Sequence, residues 1–127
     1  MNTDEQKILY EDLSYKIIGL AMEVHSKLGY GFLEKVYENA LMLLLRRKGI
    51  EAKQQTPIKV NFEGEVGGEY FADILVEDKI ILELKVLNEI TDVHIAQALN
   101  YLKATGLRLA IILDFKKTRL EYERLIN

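Results

Sequence analysis

Phe71-Ala72-Asp73-Ile74-Leu75-Val76-Glu77-Asp78-Lys79-Ile80-Ile81-Leu82-Glu83-Leu84-Lys85-Val86 contains two apolar runs of strand length, separated by a turn and carrying three charges inside them. Residues two apart in a strand share a face, so Glu83 and Lys85 point one way while Leu82, Leu84 and Val86 point the other. If Glu77-Asp78 turns the chain back, Asp73 lies opposite them on the neighbouring strand. Burying an unpaired charge costs several kcal/mol, so the three persist there only if they are paired, solvated in a cleft or neutralised by a cation.

The flanking sequence extends this hairpin into a sheet. Ile58, Val60 and Phe62 alternate with Lys59, Asn61 and Glu63, which predicts a strand after an edge-compatible Pro57. With Glu63-Gly64-Glu65 as a turn, further strands over Glu69–Val76 and Lys79–Leu87 complete a three-strand meander. Upstream, Leu13, Ile17, Leu20, Ala21, Val24 and Leu28 recur at helical spacing and predict a helix over Tyr10–Leu28, stopped by Gly29. A second helix is predicted over Phe32–Lys48, stopped by Gly49, and a third over Asp92–Thr105, stopped by Gly106. Strands over Leu107–Phe115 and Thr118–Ile126 follow. The order is ααβββαββ, and the long crossover before an apolar strand implies an α/β fold with a mixed central sheet flanked by helices.

A chain of 127 residues suits one core, so residues 1–127 are expected to form a single domain. With no cysteine, disulfides, thiolate metal sites and cysteine nucleophiles are excluded, and any metal must be held by oxygen or imidazole. The start, Met1 to Lys7, lacks a basic segment leading into a long apolar run, so no signal peptide is expected and the chain is expected in the cytoplasm. Charge interrupts every apolar stretch well before the roughly 18 residues that suggest a membrane span. The net charge of −3 sits awkwardly with nucleic-acid binding, although a carboxylate site would itself pull the total down. The basic groups Arg46-Arg47-Lys48, Lys103 with Arg108, and Lys116-Lys117 with Arg119 read as solvated surface or helix-terminal charge.

Two readings fit the central charges. One is an ion pair of Lys85 with Asp73 or Glu83 on a half-covered sheet. The other is a site in which Asp73, Glu83 and the Leu84 backbone carbonyl hold Mg2+ or Mn2+ through oxygen, with Lys85 orienting or deprotonating an attacking water.

Asp73, nine intervening residues, Glu83, one residue and Lys85 resemble the catalytic signature of PD-(D/E)XK nucleases. They fall on two adjacent predicted strands, after helices and before a crossover helix. Gly31, Glu34 and Tyr37 stand as G-x-x-E-x-x-Y. With Val24-His25, Leu28-Gly29, Glu38, Gln55, Pro57, His94, Gln97 and Tyr101, the chain resembles the small bacterial and archaeal GxxExxY proteins from about Glu23 through Phe115. Tyr30 departs from that pattern where a proline is common, and Asp114 where Asn usually precedes Phe115. That family is assigned to the PD-(D/E)XK superfamily, so the resemblance implies the restriction-endonuclease-like fold and a nuclease-type site. It also implies that Glu34 supports the metal directly or through water. Gln97 and Tyr101 are similar to a Gln-x-x-x-Tyr motif of RecB-like and lambda-exonuclease-like nucleases, where the pair is thought to position metal-bound water and a substrate phosphate.

His94, Gln97 and Tyr101 can project from one helical stripe towards the site, with a solvated helix face as the bland alternative. Glu34, Tyr37, Glu38 and Leu41 share one side of the second helix, which lets Glu34 face the sheet. His25 reads as a structural residue near a helix C-terminus. The expected function is metal-dependent phosphodiester hydrolysis of nucleic acid, DNA ranked ahead of RNA, with self-association left open. The alternatives are a non-catalytic binding or regulatory module and a phosphatase or nucleotide hydrolase on the same scaffold.

Overall fold

Ile80, Leu82 and Leu84 on one face of a short strand and Ile81 on the other are all buried, so that strand needs cover on both sides. The computed structural model describes residues 9–127 and supplies that cover. Helices α1 (Glu11–Leu28) and α2 (Glu34–Arg47) precede strands β1 (Ala52–Phe62), β2 (Glu65–Val76) and β3 (Ile80–Lys85). Helix α3 (Asp92–Thr105) then crosses to β4 (Leu109–Asp114), and β5 (Glu121–Ile126) ends the chain. The sheet runs β1-β2-β3-β4-β5, with β3 and β4 parallel and every other pair antiparallel. The expected order and mixed sheet are therefore observed.

The two faces have different tenants. Ile74, Val76, Ile80, Leu82, Leu84, Leu109, Ile111 and Leu113 pack with residues of α1 and α2 such as Ile17, Val24, Leu41 and Leu45. On the other face Ile81, Ala110 and Ile112 meet Ala98 and Leu102 of α3. Burying a Leu or Ile side chain contributes about 1.5–3 kcal/mol, so the central strands anchor the molecule. Alternation then leaves Glu83 and Lys85 on the α3 side, one and two steps beyond Ile81.

The element bounds differ from expectation mainly at the hairpins. β1 starts at Ala52 rather than Ile58, because backbone pairing with β2 carries the polar run Lys53-Gln54-Gln55-Thr56, which has no alternating pattern of its own. Pro57 lies inside this strand and is tolerated because β1 is an edge. β2 likewise extends back to Glu65 through Gly67 and Gly68, with an irregularity opposite at Val60/Asn61. Both hairpins turn on two successive left-handed residues, Glu63-Gly64 and Glu77-Asp78, the backbone that matches strand twist. β3 is shorter than predicted because its exit beyond Lys85 leaves the ladder. Met1 to Lys7, read above for a signal peptide, lies outside the described residues. No helix among the described residues is long and apolar enough to cross a membrane.

Candidate active site

Asp73 and Glu83 meet where β2 and β3 part. The ladder runs Val76 to Ile80, Leu75 to Ile81 and Ile74 to Leu82, and one step further these two acids stand opposite each other. There the Leu84 backbone N–H donates to Asp73 Oδ2 at 2.8 Å, so a side chain fills the place of a ladder bond. Glu83 is 5% exposed, and its Oε1 has no hydrogen-bond partner. Burial first, then the neighbouring charge of Asp73, pushes the Glu83 carboxyl up to about 8, and the Lys85 ammonium offsets only part of this. A simple ion pair with Lys85 would satisfy that oxygen and hold the acid ionised. The burial and the orphaned atom argue against that reading.

Lys85, half-buried at the end of β3, lies beside Asp114 in the parallel register with β4. Asp114 Oδ1 accepts both the Leu87 N–H at 2.9 Å and the Lys116 N–H at 3.1 Å, joining the exits of β3 and β4. One carbonyl-type oxygen does both tasks, which is why Asn and Asp are interchangeable in this geometry.

Glu34 opens α2, on the opposite side of the sheet from α3, and approaches the site around the end of β3. Burial raises its carboxyl pKa, the Lys85 charge counters this, and Asp73 adds to it, with the Val86 backbone N–H steadying the ionised form. Tyr37, Glu38 and Leu41 turn inward, whereas Glu34 is exposed and does not lie under the sheet with them. Its placement comes from the turn before it. Gly29 and Gly31 sit at φ +75° and +108°, a region costly for other residues. The Tyr37 hydroxyl donates to the Gly29 carbonyl at 2.7 Å and accepts from the Phe32 N–H at 3.3 Å. The Tyr37 ring stacks on Phe115 at 4.5 Å. In G-x-x-E-x-x-Y, then, the glycine and the tyrosine build the turn that aims the glutamate.

Glu38, which the sequence reading placed behind Glu34, is the more deeply buried acid of α2, at 3% exposed. It accepts from Lys35 at 3.0 Å, Gln54 at 2.6 Å and Gln55 at 3.0 Å. The same Gln55 amide reaches Asp73 Oδ1 at 3.5 Å, the outer limit of a hydrogen bond. Gln55 lies at φ +51°, between the Gln54–Ile74 and Thr56–Ala72 pairs, so the strained residue faces Asp73. The signals in the sequence were the places of Glu38 and Gln55 in the family resemblance and a polar Gln54-Gln55 pair inside a run lacking alternation.

From α3, Tyr101 borders the acids: burial, then the charges of Glu83, Tyr70 and Asp73, raise its phenol pKa. Gln97, one turn earlier, is exposed and lines a cleft of about 540 Å³ with Tyr101, between α3 and the β1–β2 hairpin. His94 does not join them as expected. Its Nδ1 accepts the Thr91 N–H at 3.0 Å and lies 2.9 Å from Thr91 Oγ1, completing a capping box at the start of α3. His25 Nε2 lies 2.7 Å from the Lys117 carbonyl and the ring stacks on Phe115, a tie between α1 and the β4–β5 turn.

Among the described residues no three His, Asp or Glu side chains converge tightly enough to hold an ion by themselves. Glu34 is therefore not gathered with Asp73 and Glu83 into a three-carboxylate cage. What the site offers is the free Glu83 Oε1 and an Asp73 Oδ1 with one long contact. Hard oxygen donors of this number suit a magnesium-type ion, which keeps several waters and takes one or two carboxylates plus substrate oxygens.

The sequence pattern of the PD-(D/E)XK nuclease superfamily matches residues 11–125, and the chain belongs to that superfamily. Its nucleases generally use divalent metal ions. The crystal structure of SSO0001 superposes with a TM-score of 0.55 at 17% identity, covering 74% of this chain and 50% of that one. An alkaline exonuclease (LHK-Exo) from Laribacter hongkongensis superposes with a TM-score of 0.54 at 15% identity, covering 85% of this chain and 67% of that one. The fold is thus the restriction-endonuclease-like one, and the chain spans half the length of SSO0001. No curated protein matches the sequence.

Proposed function

We propose that the protein is a divalent-metal-dependent nuclease, a member of the GxxExxY group, whose centre is Asp73, Glu83 and Lys85 in a single domain. The observation that carries this reading is Glu83, a buried carboxyl with an unpartnered oxygen, set beside a second carboxylate and tuned up to about 8. A group so costly to bury is expected where a cation or a reaction uses it. Asp73 and Glu83, with the Leu84 carbonyl, would hold Mg2+ or Mn2+. Once bound, such an ion neutralises charge on the scissile phosphate and lowers the pKa of water near it. Lys85, on the same face as Glu83, orients or deprotonates the attacking water. Glu34 acts from the rim through solvent, Gln55 and Glu38 keep Asp73 aimed, and Gln97 with Tyr101 positions the substrate phosphate. The substrate is nucleic acid, DNA ranked ahead of RNA.

Labelled DNA and RNA, single- and double-stranded, incubated with Mn2+ or Mg2+ test this directly. Cleavage that stops with chelator and falls at least about a hundredfold in Lys85→Ala is expected, the scale of a positioned acid–base group. Hydrolysis of small phosphate esters without polynucleotide cleavage would instead favour a phosphatase. No turnover of either class would leave the binding module standing.

A further inference from the structure

The cleft beside the acids has a chemistry of its own. Its lining includes Tyr70, 49% exposed, the half-buried Tyr101, Gln97, Asn100 and the exposed Lys103. The salt bridges among the described residues engage Lys27, Lys35, Lys53 and Lys117 and leave Lys103 out. Tyr70 and Tyr101 lie 5.5 Å apart at 46°, tilted rather than stacked, so the Tyr70 face is not consumed by its neighbour. Tyr101 belongs to both places: it lines the cleft, and the charges of Glu83 and Asp73 reach its hydroxyl. The cleft is therefore the space a substrate enters on leaving the acidic cluster.

An exposed aromatic face beside a cation is the chemistry that binds unpaired nucleotides, because stacking needs a base free of its own helix and the backbone needs neutralising charge. A duplex presents no free base face, and a cleft of 540 Å³ has the size of a small-ligand pocket rather than of a duplex groove. Resting on the nuclease reading above, we infer that this cleft is a subsite for single-stranded polynucleotide, including a frayed strand end, adjoining the scissile phosphate. One base stacks on Tyr70, Lys103 neutralises a neighbouring phosphate, and the Gln97 and Asn100 amides meet sugar or base edges. Lys103, read from sequence as solvated surface, is exposed and borders this cleft with Tyr70, which lies far away in the chain.

Fluorescence anisotropy with labelled oligonucleotides of about twelve nucleotides tests this, in chelator and low salt so that nothing is cleaved. The arms are single-stranded DNA, single-stranded RNA and a blunt DNA duplex, and the two single strands report which sugar the subsite accepts. Single strands should bind at least about tenfold tighter than the duplex. Tyr70→Ala should weaken single-strand binding by about five- to a hundredfold while Tyr70→Phe retains it, since the ring and not the hydroxyl does the stacking. Lys103→Gln should lower the slope of log affinity against log salt by about 0.7. Both side chains, Tyr70 and Lys103, reach solvent, and matching melting temperatures establish that the variants fold. Equal affinity for duplex and single strand, no oligonucleotide binding, or single-strand binding indifferent to Tyr70→Ala would each overturn the subsite. Metal-dependent cleavage by the unsubstituted protein is scored separately. Cleavage with Tyr70-independent binding removes the subsite and leaves the nuclease, whereas Tyr70-dependent binding without cleavage removes the nuclease and leaves the subsite.

Discussion

Glu83 links site chemistry to stability through its proton. Its folded pKa of about 8 lies above the ordinary 4.5, so the fold favours the protonated form. Below about pH 4.5 both folded and unfolded chains hold the proton and there is no penalty. Between there and about pH 8 the unfolded chain releases a proton that the folded chain keeps. Stability in chelator then falls with rising pH, by up to about 1.4 kcal/mol per unit, and levels off above the folded pKa. Glu34, raised in the same direction, adds to the slope. Glu83→Gln removes the largest part. Its melting temperature should match the unsubstituted protein near pH 4.5 and exceed it near pH 8.5, and parallel curves over that range would show that Glu83 is not held protonated.

Two elements position the site, each through a contact that sequence spacing does not display. The α1–α2 turn is fastened by Tyr37, whose hydroxyl bonds Gly29 and Phe32 and whose ring stacks on Phe115 from the end of β4. Tyr37→Phe keeps the stack and loses the fastening. It should cost about 1 kcal/mol by chemical denaturation, with a larger relative loss of cleavage because Glu34 is freed. A loss of stability with unchanged cleavage would show that Glu34 needs no such turn. On the other face, the Thr91–His94 capping box starts α3 at the register that brings Tyr101 against the acids. His94 was expected at the site because helical spacing put it on the stripe of Gln97 and Tyr101. The competing demand for a cap at the helix's third residue claimed its ring instead.

At the scale of the molecule, an acidic chain is asked to hold two carboxylates side by side, and a cation is the natural relief. Magnesium or manganese at about a hundred times its dissociation constant should add about 2.7 kcal/mol of stability and raise the melting temperature by several degrees. Asp73→Asn should abolish most of that rise while its side-chain oxygen still accepts the Leu84 N–H. Identical melting curves with metal and with chelator for both proteins would sink the metal site. The sequence alone determined the order ααβββαββ, the mixed sheet, and the shared face of Glu83 and Lys85. Those rest on local periodicity, glycine stops and the two-residue repeat of a strand. It could not show that β2 and β3 part at Asp73, that Glu83 is left with an orphaned oxygen, or that Gln55 is strained opposite Asp73 in contact with Glu38. Nor could it show that Tyr70 and Lys103 line one cleft. Each of these depends on strand register and on which helix covers which face, quantities set by packing between segments far apart in the chain. Spacing within a segment carries no record of them.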